Sequence, residues 1–126
     1  MSDIPILQIG NKVVVPIQTE LDDLGARKMQ EEVLLRIEKI SADGLVIDVS
    51  AVSIIDSFLG RILVDTSKMA KLMGAESVIV GMKKEVVLTL IQLGLRMENL
   101  NTALSLEEGL KLLYKLQENL YGKFSR

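Results

Sequence analysis

The chain has no histidine and no cysteine. That removes the Ser-His and Cys-His pairs that activate nucleophiles, along with the imidazole and thiolate ligands that hold most zinc sites. Glycine-rich phosphate loops are missing too: Gly60 is isolated, and neither of the two common phosphate-binding glycine patterns occurs. Basic charge is not in excess, with 15 Lys and Arg against 17 Asp and Glu, a net charge of -2 and a pI near 5.2. Binding to a phosphate backbone needs concentrated Lys and Arg, so nucleic acid is not expected as a partner. The doubled base Lys83-Lys84 reads as a solvated pair. No apolar run approaches the roughly 20 residues that span a bilayer. Met1-Ser2-Asp3-Ile4-Pro5 lacks the basic-then-apolar layout of a secretory signal. A cytoplasmic protein with no membrane span, no metal and no cofactor is expected, and the lack of cysteine agrees.

What the chain does have is core-forming material: 48% of its 126 residues are hydrophobic and 25% charged, outside the range of disordered chains. One domain over 1–126 is expected. Two β-branched runs, Pro5 to Ile9 and Lys12 to Ile17, flank Gly10-Asn11, a pair suited to a two-residue hairpin turn. Helical spacing of Leu24, Ala26, Met29, Val33, Ile37 and Ile40 predicts a first helix from about Asp22 to Ile40. Leu45 to Val49 reads as a strand covered on both faces. A second helix is predicted from Ser57 to about Met73, with Phe58, Ile62, Met69 and Leu72 or Met73 inward and Gly74 closing it. Glu76 to Gly81 is the next strand, Lys83 to Leu93 a third helix, and Asn99 to Ala103 a weak last strand. Ser105-Leu106-Glu107-Glu108 is a capping box for a final helix with Leu106, Leu110, Leu113 and Leu120 on one side. Gly109 in its first turn predicts a loose start. The alternation implies an α/β fold with a mixed, mostly parallel sheet opened by a hairpin and about four helices.

The strand from Leu45 runs through Ser50 to Ile55 into Asp56-Ser57, at the mouth of the second helix. Asp before an apolar helix is first of all an N-cap. Capping by Asp56 is nonetheless compatible with an exposed Ser57 hydroxyl at the first helical position, where free N–H groups and the helix dipole favour a phosphate. Arg61, one turn on, is a candidate for meeting that phosphate or a solvated surface residue. Phe58 and Leu59 lie about 100° apart around the helix, so one of them is expected to stay partly exposed as a docking spot. Asp48, Asp56 and Asp22-Asp23 fall near strand ends, where α/β sheets bind ligands. An aspartate-phosphorylated receiver domain would need an acidic pair after the first strand and a Lys after the last, and neither is present. Enzymatic activity is not expected.

The runs Ile4 to Leu7, Gln18 to Asp23, Ile54 to Phe58, Ser67 to Ala75 and Leu88 to Gly94, in this order, resemble STAS domains, the fold of bacterial anti-sigma-factor antagonists. In particular they resemble the single-domain S-type scaffold subunits of the stressosome. The resemblance implies a non-enzymatic scaffold that co-assembles with R-type STAS paralogues bearing sensor domains, self-associates within a large complex, and holds a GHKL-type serine switch kinase. It further implies that phosphorylation at Ser57 releases the kinase and that a serine phosphatase resets the system. Asp56, Phe58, Leu59, Arg61, Asp22 and Asp23 are then the candidate partner contacts. The hairpin at Gly10-Asn11 and the starts of the first two helices are expected to cluster at related ends of the sheet.

Two departures qualify the resemblance. Antagonists acting directly on anti-sigma kinases usually carry small residues after the serine, where this chain has Phe58-Leu59; a stand-alone antagonist binding an anti-sigma serine kinase is the alternative. In R-type relatives an upstream threonine is also phosphorylated, and ungapped placement puts Asp23 there, so no second phosphosite is expected, although Thr19 lies nearby.

Overall fold

The computed structural model describes residues 4–94 and 100–124. The elements follow as β1 (Leu7–Ile9), β2 (Lys12–Pro16), α1 (Asp23–Ile40), β3 (Gly44–Asp48), α2 (Ser57–Leu72), β4 (Glu76–Val80), α3 (Lys84–Gln92), β5 (Thr102–Ala103) and α4 (Leu106–Phe124). This is the expected order. Asn99, the predicted start of the last strand, lies outside the described residues, as does the side chain of Leu120. One five-stranded sheet runs β1-β2-β3-β4-β5; β1 is antiparallel to β2 and the other neighbours are parallel.

Strand alternation divides the sheet into two faces. Val13 and Val15, Leu45 and Ile47, and Ile79 point to the side covered by α1, α2 and α3. Val14, Val46, Val78 and Val80 point to the other side, under Leu113 of α4. Ile47 sits between Val15 and Ile79 in register and is fully buried, as expected for a strand covered on both faces. Gly109 has a packing role as well. A Cβ there would lie 2.6 Å from Val80 Cγ1, so the glycine lets α4 approach the sheet closely, and Ser105 Oγ caps the helix by accepting from the Glu108 N–H at 3.2 Å.

The inward face of α2 also differs from expectation. Leu59, Ile62, Leu63, Thr66 and Ala70 are buried, whereas Leu72 is 89% exposed and Met69 and Met73 are 41% and 42% exposed. Thr66 Oγ1 donates to the Ile62 carbonyl and accepts from Gln30 Nε2 at 3.0 Å, tying α2 to α1. A polar threonine thus occupies a place that an apolar periodicity count would pass over.

The hairpin lies at the opposite end of the sheet from the helix starts. β1 runs against β2, so its turn falls beside the N-terminal ends of β2, β3 and β4, where Lys12, Gly44 and Glu76 are in register. A buried polar cluster has formed there. Lys12, 2% exposed, donates to Asp43 Oδ1 at 2.8 Å and Gln117 Oε1 at 3.0 Å, with its ammonium 4.5 Å from the centre of the Tyr114 ring. Gly44 makes room for the Lys12 stem, since a Cβ would lie 2.4 Å from Lys12 Cδ. Gln117 Nε2 donates to the Asp43 carbonyl at 2.8 Å, which anchors α4 to this end.

Burial alone would raise the Asp43 carboxyl, but hydrogen bonds from Lys12, Gln117 and Asn11 and the Lys12 charge leave it below the usual range. Its folded value is therefore depressed. The stability it contributes is complete above about pH 3.9, the ordinary value of an unfolded aspartate, and is lost as pH falls through the folded value. Acid unfolding followed by circular dichroism should show Asp43→Asn less stable than wild type at neutral pH, with the gap closing as acid is added.

Candidate functional site

The β2–α1 and β3–α2 connections leave the C-terminal ends of two paired strands, where Pro16 stands opposite Asp48. The starts of α1 and α2 are consequently neighbours. Each is capped by an aspartate: Asp22 accepts from the Gly25 N–H at 2.7 Å, and Asp56 accepts from the Leu59 N–H at 2.8 Å. Both caps have the extended backbone that an N-cap requires. Asp23, at the first position of α1, is exposed.

Ser57 occupies the first helical position of α2 and is exposed. Phe58 is half-buried against the core cluster, and the Arg27 guanidinium of α1 lies over its ring, 5.2 Å from the centre. That distance suits a cation–π contact. Leu59 is 3% exposed and belongs to the core, so it supports the site from beneath and does not face a partner. Arg61 is exposed one turn along. The structure thus gathers Asp56, Ser57, Phe58 and Arg61 on α2 beside Asp22 and Asp23 on α1, with Arg27 bridging the two helices.

Two features of the connection were not legible beforehand. Asp48, counted with the strand-end carboxylates, is engaged locally: its Oδ1 accepts from the Ser50 N–H at 2.9 Å and the Ser50 hydroxyl at 2.6 Å. Lys83 is more than a solvated base, because its ammonium donates to the Ser50 carbonyl at 2.8 Å and the Val52 carbonyl at 3.3 Å. Ile54 on the same connection is 69% exposed.

A cavity of about 270 Å³ opens beside the start of α1, lined among others by Glu20, Asp22, Lys28 and Glu32. Three carboxylates against one ammonium disfavour an anionic ligand such as a nucleotide. Among the described residues, no group of Asp and Glu is arranged to hold a metal ion, and no helix is long and apolar enough to cross a membrane.

The STAS domain family matches residues 3–109. A serine-to-glutamate variant of RsbS from Moorella thermoacetica is 38% identical, covers 93% of this chain and 99% of its own, and superposes with a TM-score of 0.84. A chain from the molecular architecture of the stressosome, described as a signal integration and transduction hub, is 37% identical with a TM-score of 0.77, covering 90% of this chain and 98% of its own. The RsbT co-antagonist protein RsbRD of Bacillus subtilis is 31% identical over 107 residues, 84% of this chain but 38% of the relative. The chain spans about two fifths of the length of that relative and of the similar co-antagonists RsbRA and RsbRC. By sequence match and by fold, the chain belongs to the STAS-domain family and is an RsbS-like member of it.

Proposed function

We propose that this chain is a non-enzymatic scaffold subunit of a stressosome, that it co-assembles with sensor-bearing R-type STAS paralogues, and that phosphorylation of Ser57 releases a serine kinase held by the assembly. The observation that carries the reading is the placement of Ser57: an exposed hydroxyl on the first turn of α2, between a capping carboxylate and a half-buried phenylalanine. A phosphate there meets helix N–H groups and the positive end of the dipole, so the fold accepts it. The same charge falls beside Phe58, the natural apolar contact for a partner, where desolvating it is costly.

The partner classes come from the relatives. RsbRD, RsbRA and RsbRC are named as co-antagonists of RsbT, and we take the counterpart of RsbT as the kinase held here. The likeness to a stressosome chain supports self-association and mixed assembly with R-type proteins. A serine phosphatase would restore the resting state, and the assembly would act in the cytoplasm.

Two measurements test the reading. Incubation with the cognate kinase and an R-type partner, followed by mass spectrometry, should place the phosphate on Ser57, with Thr19 and Ser53 little modified. Ser57→Ala should abolish labelling; a phosphate found mainly elsewhere would refute the assignment. Light scattering of the chain mixed with the R-type partner should show a species far larger than either alone. A one-to-one complex with an anti-sigma kinase, and no large species, would instead establish a stand-alone antagonist.

A further inference from the structure

We propose that Lys83 is a positioning residue for Ser57: its ammonium clamps the β3–α2 connection and so holds the start of α2 in the pose that the kinase engages. The inference rests on the reading of Ser57 as the phosphoacceptor. Eight residues separate the end of β3 at Asp48 from Ser57, and Val49, the first of them, still donates to the Val80 carbonyl of β4 at 3.0 Å. A connection of that length has many conformations unless side chains hold it.

Val49, Val52 and Ile55 hold it with side chains buried in the core, and three further contacts act on the stretch between them. Asp48 folds the first residues back through Ser50. At Gly81, with φ of +80°, the β4–α3 corner approaches so closely that a Cβ would lie 2.5 Å from Ser50 Cβ and 2.9 Å from its Cα. From this corner Lys83, two residues on, reaches across to the carbonyls of Ser50 and Val52. The first two contacts stop at Ser50. Lys83 alone of the three extends the hold to Val52, five residues before Ser57, and it does so with a charged donor, stronger than a neutral one.

Lys83 itself is exposed at the N-cap of α3 and makes no side-chain capping bond. Its removal therefore perturbs the connection and not the core. Lys83→Met keeps the stem and deletes the donor; Lys83→Arg restores a cation able to reach both carbonyls. Amide hydrogen exchange and phosphorylation kinetics with the cognate kinase and R-type partner are measured on wild type and both variants. Expected for Lys83→Met are about tenfold faster exchange over 50–56, a several-fold rise in KM for Ser57 phosphorylation with kcat little changed, and an unaltered melting transition. Lys83→Arg should recover most of both effects.

Unchanged exchange over 50–56 in Lys83→Met would overturn the clamp whatever the kinase does. Faster exchange with wild-type KM would overturn the positioning role. If wild type is phosphorylated elsewhere than on Ser57, the functional reading falls and takes the positioning role with it, while the exchange arm still reports on the clamp. A Lys83→Met protein with a collapsed melting transition would show a structural role and would also overturn the proposal.

Discussion

Ile47→Asp is expected to abolish cooperative folding. The residue is fully buried at the centre of the sheet, between Val15 and Ile79, with α1 and α2 packed on the face it points to. The substitution removes a buried isoleucine and puts a carboxylate where the surrounding side chains are aliphatic. Burying an unpaired charge costs several kcal/mol, against a typical domain stability of about 5 to 15 kcal/mol. Ile47→Val, which only trims a methyl group, should cost about 0.5 to 1.5 kcal/mol and fold normally. Thermal denaturation followed by circular dichroism checks the pair: a soluble Ile47→Asp protein melting like wild type would contradict the strand's central position.

Ser57→Asp should separate folding from partner binding. The side chain is exposed on the first turn of α2, where a carboxylate meets the favourable end of the helix dipole, so stability should change by no more than about 0.5 kcal/mol. Kinase capture should suffer far more. A charge beside Phe58 must be desolvated in any contact that covers the ring, and Asp56 adds like-charge repulsion. A loss of about 100-fold in affinity, equivalent to about 2.7 kcal/mol, is expected, with authentic phosphoserine at least as disruptive. Equal kinase binding by wild type, Ser57→Asp and the phosphoprotein, measured by calorimetry, would eliminate the switch.

The elements that were legible in the sequence are those set by local chemistry. Asp22 and Asp56 announce the helix starts, Gly10-Asn11 the hairpin, and the Leu45 to Val49 run the central strand, which the structure places at Gly44–Asp48. The α2 face differs because Leu59, and not its neighbour Phe58, is the fully buried residue of the first turn, which rotates the inward stripe by about 100° and turns Met69 and Leu72 outward. The hairpin turn precedes β2 and so lies at that strand's N-terminal end, whereas α1 and α2 start from the C-terminal ends of β2 and β3. Long-range polar contacts gave no local signal. Lys12 meets Asp43 across 31 positions and Gln117 across 105, and Lys83 meets Ser50 across 33, so each looks like an ordinary surface base until the chain is folded. At the candidate site, composition identified the hydroxyl and its cap but not the Arg27 bridge to Phe58.

The strand order β1-β2-β3-β4-β5 is also the order of synthesis. Each strand that leaves the ribosome finds the edge it pairs with already built, and no later strand has to wedge between two earlier ones. Growth by addition at one rim keeps loop closures short, which favours speed and limits the time that bare strand edges face other nascent chains. Helix α4 follows the whole sheet in the chain, and it covers the row Val14, Val46 and Val78 that every earlier step left open. A chain cut off before Leu106 would therefore carry a sheet with one greasy side uncovered, a state prone to aggregate.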